Sequence, residues 1–117
     1  MAEAADERFL RQIKKGVMEM LVLEHLSRKP DYGYALLMGL AKAPGGCLKV
    51  KEGTLYPILY RLEEDGYLKS GWQQGEGRAA PKKIYTITEE GRRQLESQRR
   101  TWQTFRQDVE FIQKQEG

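Results

Sequence analysis

The segment Glu52-Gly53-Thr54-Leu55-Tyr56-Pro57-Ile58-Leu59-Tyr60-Arg61-Leu62-Glu63-Glu64-Asp65-Gly66 reads as one short helix with a marked stop. Leu55, Ile58, Leu59 and Leu62 recur at spacings of three and four, which sets them on one face of a 3.6-residue period. Gly66 ends the helix, because glycine adopts the left-handed backbone of a helix C-terminus without a Cβ penalty. Gly53, Pro57, Tyr60 and Glu64 fall opposite the apolar stripe, flanked by Tyr56 and Arg61. Pro57 lacks an N–H and crowds the carbonyl of residue 53, so it either bends the helix at Gly53 or marks a late helix start.

Beyond Gly66, Tyr67–Trp72 and Lys83–Thr88 read as two strands, the second rich in aromatic and β-branched side chains. Between them, Gln73–Pro81 carries Gly75, Gly77 and Pro81, which predicts a hairpin with a long tip. Upstream, Phe9, Ile13, Val17 and Leu21 mark a first helix, and from Val17 to Leu26 its apolar character extends nearly all round. That half is expected to touch more than one neighbour. Ser27–Pro30 closes it, and Asp31 is the expected N-cap of a second helix from Tyr32 to about Lys42, broken by Pro44-Gly45-Gly46. Thr88 caps a last helix, with Glu89 and Glu90 at its positive end, that runs without proline to about Lys114.

On this last helix Leu95, Trp102 and Val109 recur every seven residues, Phe105 and Ile112 follow three further on, and Gln98 interrupts the second set. A narrow apolar seam on a rod that outruns its own domain predicts a subunit contact. The expected fold class is therefore α+β, mainly α. Three helices followed by a hairpin form a winged helix-turn-helix, whose third helix enters the DNA major groove, and a long C-terminal dimerisation helix completes it. Residues 1–88 are expected to be the DNA-binding domain and residues 89–117 the dimerisation helix.

A chain of 117 residues has room for one such domain, and its formal net charge is +3. Residues 89–117 carry six Lys/Arg and six Asp/Glu, so the whole excess lies in residues 1–88. It gathers there in Arg8, Arg11, Lys14 and Lys15, and in Arg78, Lys82 and Lys83. Each cluster is either a solvated face or a phosphate-binding one. One histidine, His25, and one cysteine, Cys47, supply no metal-ligand set and no internal disulfide. They also supply no nucleophile–base pairing, and no glycine-rich phosphate loop is present, so neither a catalytic site nor a cofactor is expected. The stretch Met1–Glu7 is acidic and polar, unlike a secretory signal, and the longest apolar run is interrupted at Glu19, far short of a membrane span. A cytoplasmic location is expected.

Several motifs together resemble the PadR family of bacterial transcription regulators. They are Lys15-Gly16 with the apolar stretch to Leu26, Pro30-Asp31-Tyr32-Gly33-Tyr34, and Glu52-Gly53-Thr54-Leu55-Tyr56-Pro57 with Leu59, Arg61-Leu62-Glu63 and Asp65-Gly66. Pro81-Lys82-Lys83, Tyr85 and Thr88-Glu89-Glu90-Gly91 extend the likeness, which covers about residues 8–92. The single last helix looks like the short-tailed branch, whose members dimerise through it. Lys51 stands where the family usually has a capping Ser or Asn, and Ala79-Ala80 departs from the usual wing, which sets Arg78 below Lys82 and Lys83.

The resemblance implies that Lys15, Tyr32, Tyr34, Thr54, Tyr56, Pro57, Arg61, Lys82 and Lys83 lie at the DNA surface. Most of these would hold phosphates, while the first turn of the third helix reads base edges. It also implies an effector space between two subunits, walled by the first and last helices, with Trp102, Met20, Glu24, Leu95 and Arg106 as lining residues. A planar aromatic ligand, cationic or phenolic, would suit that space. The implied partners are a double-stranded DNA operator with an inverted repeat and a second copy of the chain, in a homodimeric repressor released by ligand. A winged-helix module that binds protein without specific DNA binding is the competing reading, and the basic clusters disfavour it.

Overall fold

The computed structural model describes residues 6–115. Met1–Ala5, most of the stretch weighed as a leader, and residues 116–117 at the end of the expected dimerisation segment lie outside them. Helix α1 (Glu7–Arg28) starts at Asp6, whose carboxylate accepts from the Phe9 N–H at 3.1 Å, and Glu7 lies at its positive end. Met18, Val22, Leu23 and Leu26 are buried, so the half expected to touch several neighbours does so.

The next segment corrects the expectation. Asp31 does not cap the second helix; it belongs to a two-residue strand β1 (Asp31–Tyr32), and α2 (Gly33–Ala41) begins behind it with no side-chain cap. Its carboxylate serves elsewhere, with Oδ2 3.1 Å from His25 Nε2 and Oδ1 accepting from the Tyr32 N–H at 3.1 Å. The sheet thus has three strands. Strand β3 (Lys82–Ile87) lies between β1 and β2 (Leu68–Gln73), antiparallel to both, with Asp31 opposite Tyr85 and Trp72 opposite Lys83.

Helix α3 (Glu52–Glu64) starts where the sequence places it, at about Glu52, with Lys51 at the N-cap giving no side-chain bond. Pro57 lies inside it, one turn after Gly53, so a late start is ruled out. At its end the Tyr67 N–H donates to the Leu62 carbonyl at 2.9 Å and the Gly66 N–H to the Glu63 carbonyl at 3.0 Å. Gly66 has φ +85°, which a side chain would disfavour, and this pair of bonds is the glycine-terminated helix stop. Thr88 then joins the two ends. Its hydroxyl donates to the Gly66 carbonyl at 2.7 Å and accepts from the Gly91 N–H at 3.0 Å, so the stop of α3 is fastened to the start of α4 (Glu89–Gln113).

One apolar core gathers Leu36 of α2, Leu55, Leu59 and Leu62 of α3, Leu68, Tyr85 and Ile87 of the sheet, and Leu95 of α4 around α1. Each fully buried large side chain contributes roughly 1.5–3 kcal/mol relative to exposure. Ile58, placed on the core stripe, is only half-buried at its edge. Past Leu95, α4 leaves the core. Trp102, Phe105, Val109, Phe111 and Ile112 are all exposed on its far half. Among the described residues no helix is long and apolar enough to cross a membrane.

Candidate nucleic-acid interface and helix groove

The outward face of α3 carries Thr54, Pro57, Tyr60 and Arg61, all exposed. Tyr56 is half-buried, because its ring lies on the backbone at the start of α2. A Cβ placed at Gly33 would come within 2.5 Å of the Tyr56 hydroxyl oxygen, so glycine is what lets the two helices approach. Burial pushes the Tyr56 phenol's pKa up, and the charge of Glu52 adds to this, so it stays a neutral O–H that can donate to an anion. The Tyr56 and Tyr60 ring centroids are 6.2 Å apart.

The wing lysines take different positions. Successive side chains of a strand point to opposite faces, so Lys82 and Lys83 diverge. The Lys82 amine lies 4.1 Å from the centroid of the Tyr32 ring. The Lys83 amine lies 3.9 Å from Glu63 Oε1 and 5.5 Å from the ring centroids of Tyr60 and Tyr85. Arg61 donates from Nε to Glu19 Oε2 of α1 at 2.9 Å, with Nη2 on the same oxygen. Lys15 stands one turn before Glu19 on α1, exposed, and Tyr34 is an exposed residue of α2.

The nine expected DNA-surface residues thus resolve into groups. Tyr32 meets Lys82, Tyr56 meets the start of α2, and Lys83 meets α3 through Tyr60 and Glu63, whereas Arg61 turns to α1. No side-chain bond among the described residues joins Lys15, Tyr34 or Thr54 to the others. Tyr60 belongs to the face expected opposite the apolar stripe, whereas Glu19 and Glu63 were not expected as members. The Arg61–Glu19 pair bridges 42 positions and left no local signal. Phenols, a threonine and lysines form a surface able to donate hydrogen bonds to phosphate oxygens.

A second feature is a groove of ≈ 680 Å³ between α1 and α4, walled by Ile13, Val17 and Met20 on one side and Gln98, Trp102 and Phe105 on the other. The Trp102 and Phe105 ring centroids lie 6.3 Å apart. Gln98 Oε1 is buried without a hydrogen-bond partner. Of the five expected effector residues, Met20 and Trp102 line this groove and three do not. Glu24 is held by Arg99 Nε at 2.9 Å, a bond that lowers its pKa and raises that of Arg99. Leu95 is core, 2% exposed, and Arg106 pairs along its own helix with Glu110 at 3.8 Å.

Three helices, a paired wing, and phenolic and basic side chains along both define a winged helix-turn-helix of the DNA-binding kind. Residues 22–97 match the transcriptional regulator PadR-like family, and the chain belongs to that family. It is 31% identical over 100 residues to the transcriptional regulator Rv3488 of Mycobacterium tuberculosis, covering 86% of this chain and 89% of that one. A PadR family transcriptional regulator from Eggerthella lenta superposes with TM-score 0.83 at 34% identity, covering 94% of this chain and 93% of the other. A PadR-like transcriptional regulator from Bacillus cereus gives TM-score 0.78 at 30% identity, over 90% and 99% of the two chains. The chain is accordingly a DNA-binding transcription regulator and not an enzyme.

Proposed function

We propose that the protein is a cytoplasmic homodimeric repressor that binds an inverted repeat in duplex DNA and is released by a planar aromatic ligand, cationic or phenolic. The observation that carries this reading is the far half of α4. Trp102, Phe105, Val109 and Ile112 lie on one stripe, from 37% to 65% exposed, on a helix that has already left its own core. A second copy covering that stripe removes apolar surface from water, and a two-fold pair presents two α3 helices to one face of a duplex. Within residues 89–114, the stretch past Leu95 is then the subunit contact.

The groove beside Trp102 supports the effector part of the reading. Its walls are mainly apolar, and it offers an indole face to a flat ring. Since α1 forms one wall and also holds Arg61 of α3 through Glu19, a ligand that shifts α1 alters the setting of the recognition helix. Differential binding to the two settings then lowers DNA affinity.

Gel shift on a selected operator, repeated with planar cationic dyes and with phenolic acids, tests the whole reading together with sedimentation of the free protein. A dimer whose operator complex is dissociated saturably by one of these classes is expected. A monomer that binds duplex DNA without salt sensitivity would refute it.

A further inference from the structure

Trp72 is the most exposed of the large hydrophobic side chains among the described residues, at 72%. It lies on β2 directly opposite Lys83 of β3, and directly opposed residues of an antiparallel pair point to the same face. That face is the one turned toward α3. Ser70, two residues earlier on β2, donates to Glu63 Oε2 at 2.5 Å, and the Lys83 amine reaches both Glu63 and Tyr60 of the same helix. Trp72 lies two residues beyond Ser70 on this same face of β2 and is exposed.

A row therefore runs from the recognition helix onto the wing: Tyr56, Tyr60, Lys83, Trp72. The first two rings are 6.2 Å apart and the Lys83 amine is 5.5 Å from the second. Among the described residues the Trp72 indole pairs with no other ring and lies open to solvent. An indole is a large flat apolar surface with a single donor, and on this wing it is open to a partner. A phosphodiester backbone matches both parts. Deoxyribose packs on the ring, a phosphate oxygen accepts from Nε1, and the neighbouring lysine supplies the complementary charge.

We infer that Trp72 is a DNA contact of the wing, its indole lying against the sugar–phosphate backbone flanking the groove that α3 enters. The inference rests on the DNA-binding reading and adds to it a residue and a chemistry: an apolar and hydrogen-bonding backbone contact insensitive to base sequence. It carries no charge, so it contributes affinity without releasing counterions.

Three measurements on the full-length protein test it, with a mixed-sequence duplex and with the selected operator. Trp72→Ala is expected to leave the melting temperature unchanged, since the side chain is outside the core, and to weaken binding to both duplexes by about tenfold, or about 1.4 kcal/mol. The slope of log affinity against log salt is expected to stay that of the wild type. Tryptophan emission is expected to shift saturably on adding duplex, and Trp72→Phe is expected to lose the larger part of that shift. A Trp72→Ala affinity within twofold of wild type, or an emission change that Trp72→Phe keeps in full, overturns the contact. Loss of self-association in Trp72→Ala with unchanged DNA affinity also overturns it and assigns the indole to a protein partner. Absence of duplex binding by the wild type itself refutes the regulator reading along with it.

Discussion

The guanidinium of Arg61, on the outward face of the recognition helix, is held by the carboxylate of Glu19 on α1, with Nε 2.9 Å from Oε2. A residue that the family resemblance places at the DNA surface is thus neutralised by a neighbour before any DNA arrives. Both side chains are partly exposed, so the pair contributes only about 0.2–1 kcal/mol to folding. Its larger effect is on charge. Glu19→Gln is expected to free Arg61, tighten binding to mixed-sequence duplexes, and steepen the salt dependence by up to about 0.9 in log–log slope per subunit. Filter binding over a salt series checks this, and an unchanged slope would show that Arg61 never meets a phosphate.

The two halves of α4 are expected to fail differently. Leu95 is 2% exposed and fixes the helix to the core, so Leu95→Ala is expected to cost roughly 2–5 kcal/mol in urea unfolding. Phe105 is 59% exposed, and Phe105→Glu is expected to leave the fold of each chain intact while abolishing the dimer by sedimentation. If Phe105→Glu stays dimeric, the subunit contact lies elsewhere.

Much of this arrangement was legible in the sequence. The spacing of Leu55, Leu59 and Leu62 with Gly66 places α3 from about Glu52 to its glycine stop, and the β-branched run at Ile84–Ile87 marks the wing. Strand β1 was not, because two residues show no alternation and their partners, Tyr85 and Ile84, are 54 and 52 positions away. Asp31 has the composition of a helix cap, and only the chain returning as β3 makes it a strand residue. Three of the five expected effector residues lie away from the groove for a related reason. Glu24 is drawn aside by Arg99, 75 positions on, and Leu95, the first member of the seven-residue repeat, is taken up by the chain's own core. Only the Arg106–Glu110 pair, one turn apart, was readable locally.

Alkaline pH gives a separate check on the sheet core. Burial pushes the Tyr85 phenol up to about 12 from its usual 10.0, so the folded state holds its proton more tightly than the unfolded chain does. That contribution is fully present below pH 10.0 and is lost as pH rises through about 12. Stability measured between these limits is expected to fall with pH, and less steeply in Tyr85→Phe. Identical slopes in the two proteins would mean the phenol is solvated.

Packing of Tyr56 on Gly33 predicts a coupled pair. Gly33→Ala places a methyl within 2.5 Å of the Tyr56 hydroxyl and is expected to destabilise the fold by about 1–3 kcal/mol. Tyr56→Ala in the same chain removes the clash, so the double variant is expected to be less destabilised than the sum of the single changes. Additive losses in thermal unfolding would place the two groups apart.

Selection of bound sites from a pool of random duplexes tests the central claim most directly, because the paired recognition helices and the DNA surface must act together to succeed. The expected outcome is enrichment of an inverted repeat whose half-sites lie about one helical turn, roughly 34 Å, apart, bound with an affinity that falls steeply as salt rises. Enrichment of isolated asymmetric sites, or none at all, would contradict a two-fold regulator built on α3 and α4.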